Sequence, residues 1–230
     1  MTKVVLKVKD LTVKLDGEKL IKNLTFEVKE GEVLVILGPN AAGKTTLLRT
    51  LLGLIPYTGE IHWNKKDISY LPPQELFQRK DLPPLSIEEF FEFKGVSKEK
   101  IVKILKIVGL NSRLLKRKFG ALSTGQFQRM TIAWALVDDP SVLLFDEPTS
   151  GIDIGGQENI YSILHKVWEK RKLTILLVTH DLNVVWEHAN NVLCLNKKKL
   201  CYGVPEKVVN QRNLKKLYGT GIKFYKHKHR

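Results

Sequence analysis

The 230-residue sequence predicts an α/β fold with a parallel-sheet core, an antiparallel β layer and an inserted helical segment. Three observations carry that reading. Short β-branched apolar runs recur along the chain, as in strands buried on both faces. Near the N-terminus apolar and polar residues alternate, as in antiparallel strands wetted on one face. Between about residue 74 and residue 120 the period becomes helical.

The elements can be justified in order. From residue 4 to about 30, Leu6, Val8, Val13, Leu24, Phe26 and Val28 alternate with polar neighbours, and Gly59 to Trp63 reads as a further strand of that layer. Glu32 to Leu37 is a buried strand, and Thr46 to Leu52 has helical spacing without a breaker. In the helical segment, Ile101, Ile104, Leu105 and Val108 share one face, Ser97 is placed to cap the start, and Gly109 to end it. Pro72-Pro73 and Pro83-Pro84 mark its entry. A second helical run covers Phe127 to Val137. Val142 to Phe145 and Thr174 to Thr179 are two more buried strands. Cys194 and Cys201 flank a hairpin turn at residues 196–199 and read as reduced packing residues. Residues 1–220 form one domain with the helical segment inserted, and 221–230 are a basic, histidine-containing tail.

Between the first buried strand and its helix stand Gly38, Pro39, Asn40, Ala41, Ala42, Gly43, Lys44 and Thr45, followed by Thr46. They fit the phosphate-cradling pattern G-x-x-x-x-G-K-[ST] in its strand–loop–helix context. Backbone N–H groups and the positive helix end then face one anion, Lys44 reaches the β- and γ-phosphates, and the Thr45 hydroxyl holds Mg²⁺.

The second strand ends in two carboxylates, Asp146 and Glu147, at the strand edge where open parallel sheets bind ligands. Asp146 is placed to hold Mg²⁺, and Glu147 to act on the water that attacks the γ-phosphate. The third ends in His180, which could touch the same phosphate. A phosphate loop, a carboxylate pair and a histidine delivered by three strands read as a nucleotide hydrolase.

Leu122, Ser123, Thr124, Gly125 and Gln126 open the second helical run, with Ser123 as its cap. In order and spacing this stretch resembles the Leu-Ser-Gly-Gly-Gln motif of ABC-type ATPases, and the resemblance runs from about Val4 to Gly219. It places Gln74 (or Gln78, one register alternative) in the glutamine loop, Ser150 and Asp153 in the dimer loop after the carboxylates, and His180 as the switch histidine. It implies ATP and Mg²⁺ as ligands, with Thr45, Gln74 and Asp146 around the metal. It also implies a head-to-tail dimer in which Leu122 to Gln126 complete the partner's site. This chain departs from the family pattern at Ala41 and Thr124, where glycine is usual, and at Leu15, which stands where an aromatic residue usually stacks on adenine. A positive φ at Ala41 would carry a steric cost.

Finer resemblance is to the ATPases of zinc, manganese and iron importers. It rests on Gly151 to Gln157, Asp181 to Val185, Val192 to Asn196 with Cys201 to Gly203, Leu217 to Gly219, and Phe224 to His227 with His229. It implies a separate membrane permease contacted through the helical segment, a second ATPase subunit, and an extracellular binding protein reached indirectly. Other functions with the same chemistry are a soluble ABC ATPase in cofactor assembly or nucleic-acid maintenance, and the ATPase of an exporter. No apolar run approaches a membrane span and the N-terminus is charged from Lys3, so the expected location is the cytoplasmic face of the membrane. The formal net charge is +14, and between Lys94 and Lys118 nine Lys or Arg face a single acid, Glu99. That basic surface suits acidic coupling loops or anionic headgroups, whereas no nucleic-acid motif accompanies it and nucleic acid is not expected.

Overall fold

The computed structural model describes residues 3–73, 76, 84–148 and 154–219. Gln74, Gln78, Pro83, Ser150, Asp153 and the tail histidines lie outside the described residues. The elements run β1 (Val4–Leu15), β2 (Glu18–Lys29), β3 (Val33–Leu37), α1 (Lys44–Leu51), β4 (Thr58–Trp63) and β5 (Ile68–Leu71). Then come α2 (Ile87–Glu92), α3 (Lys98–Ile107), α4 (Thr124–Leu136), β6 (Val142–Asp146), α5 (Ile154–Arg171) and β7 (Thr174–Val178). The chain finishes with α6 (Leu182–His188), β8 (Asn191–Asn196), β9 (Lys198–Gly203), α7 (Pro205–Val208) and α8 (Gln211–Tyr218). It divides into two units, one of residues 1–64 with 176–230 and one of residues 65–175.

In the first unit the strand order is β4-β1-β2-β9-β8-β3-β7. The layer expected from alternation is there: β1 pairs antiparallel with both β2 and β4, and the residues that alternate in sequence (Leu6, Val8, Val13, Leu24, Val28) are fully buried. β3 pairs parallel with β8, from Leu34 opposite Asn191 to Leu37 opposite Cys194. Every residue of β3 is buried, which is why it reads as an unbroken apolar run. Glu32 pins the start of β3: its carboxylate accepts from Lys29 N at 2.8 Å and from Asn191 Nδ2 at 2.7 Å.

One sequence expectation is corrected here. Cys194 and Cys201, read as reduced packing residues, are opposite each other in the β8–β9 hairpin and are joined in a disulfide, with Cα atoms 4.8 Å apart. A tight turn through Lys197, which takes φ 58°, brings the two into direct cross-strand register, a separation a disulfide can span.

In the second unit β5 pairs parallel with β6, and the helices α2, α3 and α4 pack with two short 3-10 turns, Ser112–Lys116 and Phe119–Ala121. α3 starts at a Ser97 cap whose hydroxyl faces Lys100 N, buries Ile101, Ile104 and Leu105, and is followed by Gly109 at φ 71°. α2 opens with a capping box, Ser86 and Glu89 satisfying each other's backbone N–H. Its Phe90 and Phe91 stack against Trp134 of α4, ring centroids 4.1 and 5.4 Å apart, and so fix that helix from the side.

Candidate nucleotide site

The phosphate loop lies wholly in the first unit. β3 delivers Gly38 against β8 so closely that a Cβ there would stand 2.2 Å from the Leu195 carbonyl oxygen, so only glycine fits. Ala41 takes φ 60° and Gly43 φ 95°, so the loop does need a left-handed residue at the position where this chain has alanine. Lys197 N donates to Ala42 O at 3.2 Å, tying the loop to the hairpin turn. On the other side, a Cβ on Gly43 would meet Ile21 and Leu20 of β2 at 3.3 and 3.6 Å. Leu15 lies at the end of β1, paired with Glu18 and 45 % exposed.

The loop's fit to an anion can be tested on the geometry of α1. Gly43 caps this helix without a side-chain hydrogen bond, and its first turn carries no acidic residue. No acidic side chain of that turn therefore offsets the positive end of the helix. Lys44 is 7 % exposed, and its ammonium donates to Gly38 O and Pro39 O, both at 3.0 Å. Folded over the loop in this way, it adds a full positive charge to the helix dipole where a phosphate would sit. Thr45 and Thr46 are half-buried on the first turn. His180 also belongs to the first unit. It is exposed, and is held between Thr179, whose hydroxyl accepts from Asp181 N at 3.1 Å, and Asp181, whose carboxylate caps α6 through Asn183 N at 2.8 Å.

The carboxylates and the Ser123 stretch belong to the second unit. β6 is buried throughout and ends in Asp146, 1 % exposed, whose Oδ2 accepts from the Tyr70 hydroxyl on β5 at 3.4 Å. Glu147 follows at φ 50°, a left-handed conformation that turns the chain sharply out of the strand. Ser123 caps α4 as expected, in a full capping box: its Oγ accepts from Gln126 N at 3.2 Å, and Gln126 Oε1 accepts from Ser123 N at 3.1 Å. Leu122 is buried beneath that turn, Ser123 and Thr124 are exposed, and a Cβ on Gly125 would meet no atom within 4 Å. This chain's own packing therefore does not demand glycine at residue 125.

Sequence reasoning missed two groups. Tyr70 is one: it lies on a short strand with no local sign of its carboxylate partner. The other is the capping-box bond from Ser123 N to the Gln126 side chain, which the Ser-x-x-Gln spacing signals.

Comparison with known proteins agrees with this geometry. The ABC transporter family matches the chain over residues 21–150. The chain is 36% identical to a probable metal transport system ATP-binding protein of Thermotoga maritima, over 93% of this chain and 90% of that one. It is 35% identical to the zinc import ATP-binding protein ZnuC of Buchnera aphidicola, over 96% of this chain and 94% of that one. Among solved structures it superposes on an inward-facing ABC transporter assigned to the metal-chelate type, with TM-score 0.83 and 27% identity, covering 94% of this chain and 89% of the other. The family match, together with the loop, carboxylate strand and capped helix described above, shows that the chain belongs to the ABC transporter family as an ATP-binding, ATP-hydrolysing member.

Proposed function

We propose that this ATPase energises import of a divalent transition metal (zinc, manganese or iron) through a separate membrane permease. The observation that carries the reading is similarity over nearly the whole chain to ATP-binding proteins named for metal transport and zinc import. Among the described residues no helix is long and apolar enough to cross a membrane.

In this reading the amides of residues 38–46 and Lys44 hold the β- and γ-phosphates. Thr45, Asp146 and Gln74 would hold Mg²⁺, which when bound screens the phosphate charge. Glu147 takes the proton from the attacking water and His180 senses the γ-phosphate. Leu122 to Gln126 serve the nucleotide of a second copy, with Ser150 and Asp153 in the dimer loop, so the working unit is a two-fold dimer. Leu15 lies beside the adenine without the stacking an aromatic ring would give. Residues 1–220 act as the ATPase domain, with the helical segment of about 74–120 docking on the permease at the cytoplasmic face.

Detergent capture of the chain from its source membranes tests this. A multi-span permease should co-purify at one-to-two stoichiometry, with ATPase activity stimulated by the metal or by the binding protein. Recovery only from the soluble fraction, bound to nucleic acid or an assembly protein, would overturn the importer reading and leave the ATPase intact.

A further inference from the structure

Within the second unit, and apart from every residue given a nucleotide role above, a cavity of about 420 Å³ opens between α3 and the C-terminal end of α4. Its floor is apolar: Ile104, Leu136 and Val137 are buried, and Ile107 is 37 % exposed at the mouth. Its rim is charged. Lys100 Nζ lies 2.9 Å from Asp139 Oδ2, and Arg171 Nη1 lies 2.7 Å from Asp139 Oδ1. Lys103 is a third cation on the rim. The other rim acid, Glu99, is held by the Ser97 hydroxyl and its own backbone N–H at the start of α3. Lys100, Lys103 and Arg171 thus share the rim with two carboxylates, Asp139 and Glu99, leaving one surplus positive charge beside an apolar floor.

We propose that this cavity binds a small amphiphilic anion, with a carboxylate or phosphate head at Lys103 and Arg171 and an apolar body on Ile107, Leu136 and Val137. Each half of that chemistry answers a feature of the wall. The surplus charge would be met by an anionic head through charge-assisted hydrogen bonds. Ile107 at the mouth is exposed apolar surface, above the buried Leu136 and Val137, that an apolar body would cover. The volume falls in the lower part of the range of roughly 300–1,000 Å³ found for small-molecule sites. Neither a purely polar anion nor a neutral lipid uses both halves.

The test uses the full chain without nucleotide, labelled at Ile, Leu and Val methyls, titrated with octanoate, octanol and acetate in parallel and followed by NMR. Octanoate should shift the Ile107, Leu136 and Val137 methyls saturably, binding at least about tenfold more tightly than octanol or acetate, and more weakly as salt is raised. Lys103→Glu, at an exposed position that leaves the fold intact, should weaken octanoate about tenfold and leave octanol unchanged. Equal binding of octanol, an unchanged octanoate affinity in the Lys103→Glu chain, or shifts that fail to saturate at these methyls would each overturn the proposal. None of these readouts depends on ATP turnover, so their failure leaves the transporter reading untouched.

Discussion

The α-carbon of Gly38 faces the carbonyl oxygen of Leu195 so closely that any Cβ would stand 2.2 Å from it. The bottom of the phosphate loop is therefore shaped by a strand far along the chain. Gly38→Ala would push β8 from β3, and overpacking of this kind costs about 1–3 kcal/mol. A lower melting temperature and weaker ATP binding are expected together. Thermal unfolding with nucleotide titration checks this, and unchanged values in both would show that β8 yields freely.

Lys44 is nearly buried and bonded to Gly38 O and Pro39 O. Lys44→Ala removes the loop's one side-chain charge, and ATP affinity should fall at least about tenfold while the fold survives. Fluorescent-nucleotide titration measures it. Wild-type affinity would contradict the phosphate role.

Glu147→Gln should abolish turnover yet keep nucleotide binding, leaving an ATP-trapped dimer visible by size-exclusion chromatography. Loss of general-base action costs roughly 10²–10⁴-fold in rate. Turnover near wild type in this variant would remove Glu147 from the base role.

Tyr202 sets an alkaline limit. Its hydroxyl donates to Glu27 O, and burial, with Glu32 nearby, pushes its pKa up to about 12. The raised value means that the protonated phenol is favoured by folding. Its contribution is full below the unfolded value of about 10 and is lost as pH rises toward 12. Tyr202→Phe should be less stable by about 1 kcal/mol at pH 8, with the gap closing above pH 10. Urea unfolding across that range decides it.

At the acid end the Lys100 ammonium, followed by Arg171, holds the Asp139 carboxyl below its ordinary value of 3.8. A depressed carboxylate stabilises the fold above its unfolded pKa, and that share is lost as pH falls through the folded one. The site is exposed, so Asp139→Asn should cost less than about 1 kcal/mol at pH 7. The difference should vanish in strong acid. A gap that persists there would mean packing, not charge, is responsible.

What was legible in the sequence was local. β3, β6 and β7 announce themselves as apolar runs, Ser97 and Ser123 as caps, and the phosphate loop as a spacing of glycines before Lys44. The steric demand on Ala41 could be foreseen because the resembled family usually has glycine there, and its φ of 60° bears that out. Contacts across long stretches of chain were not legible. Tyr70 and Asp146 are 76 residues apart, and nothing near either names the other. The left-handed Glu147 has no local sign either, since glutamate has no preference for that region. The cysteine pair was misjudged because seven intervening positions say nothing of register until the turn at Lys197 is known.

The Leu195 and Lys197 contacts also bear on how the protein is made. About 150 residues separate Thr45 from Leu195, so at roughly 5–20 residues per second the ribosome releases the loop many seconds before its buttress. Until then the nascent loop lacks the strand that shapes Gly38 and the amide that holds Ala42. Nucleotide cannot assist the early stages of folding through that loop, and it becomes a stabilising ligand only once β8 has been made.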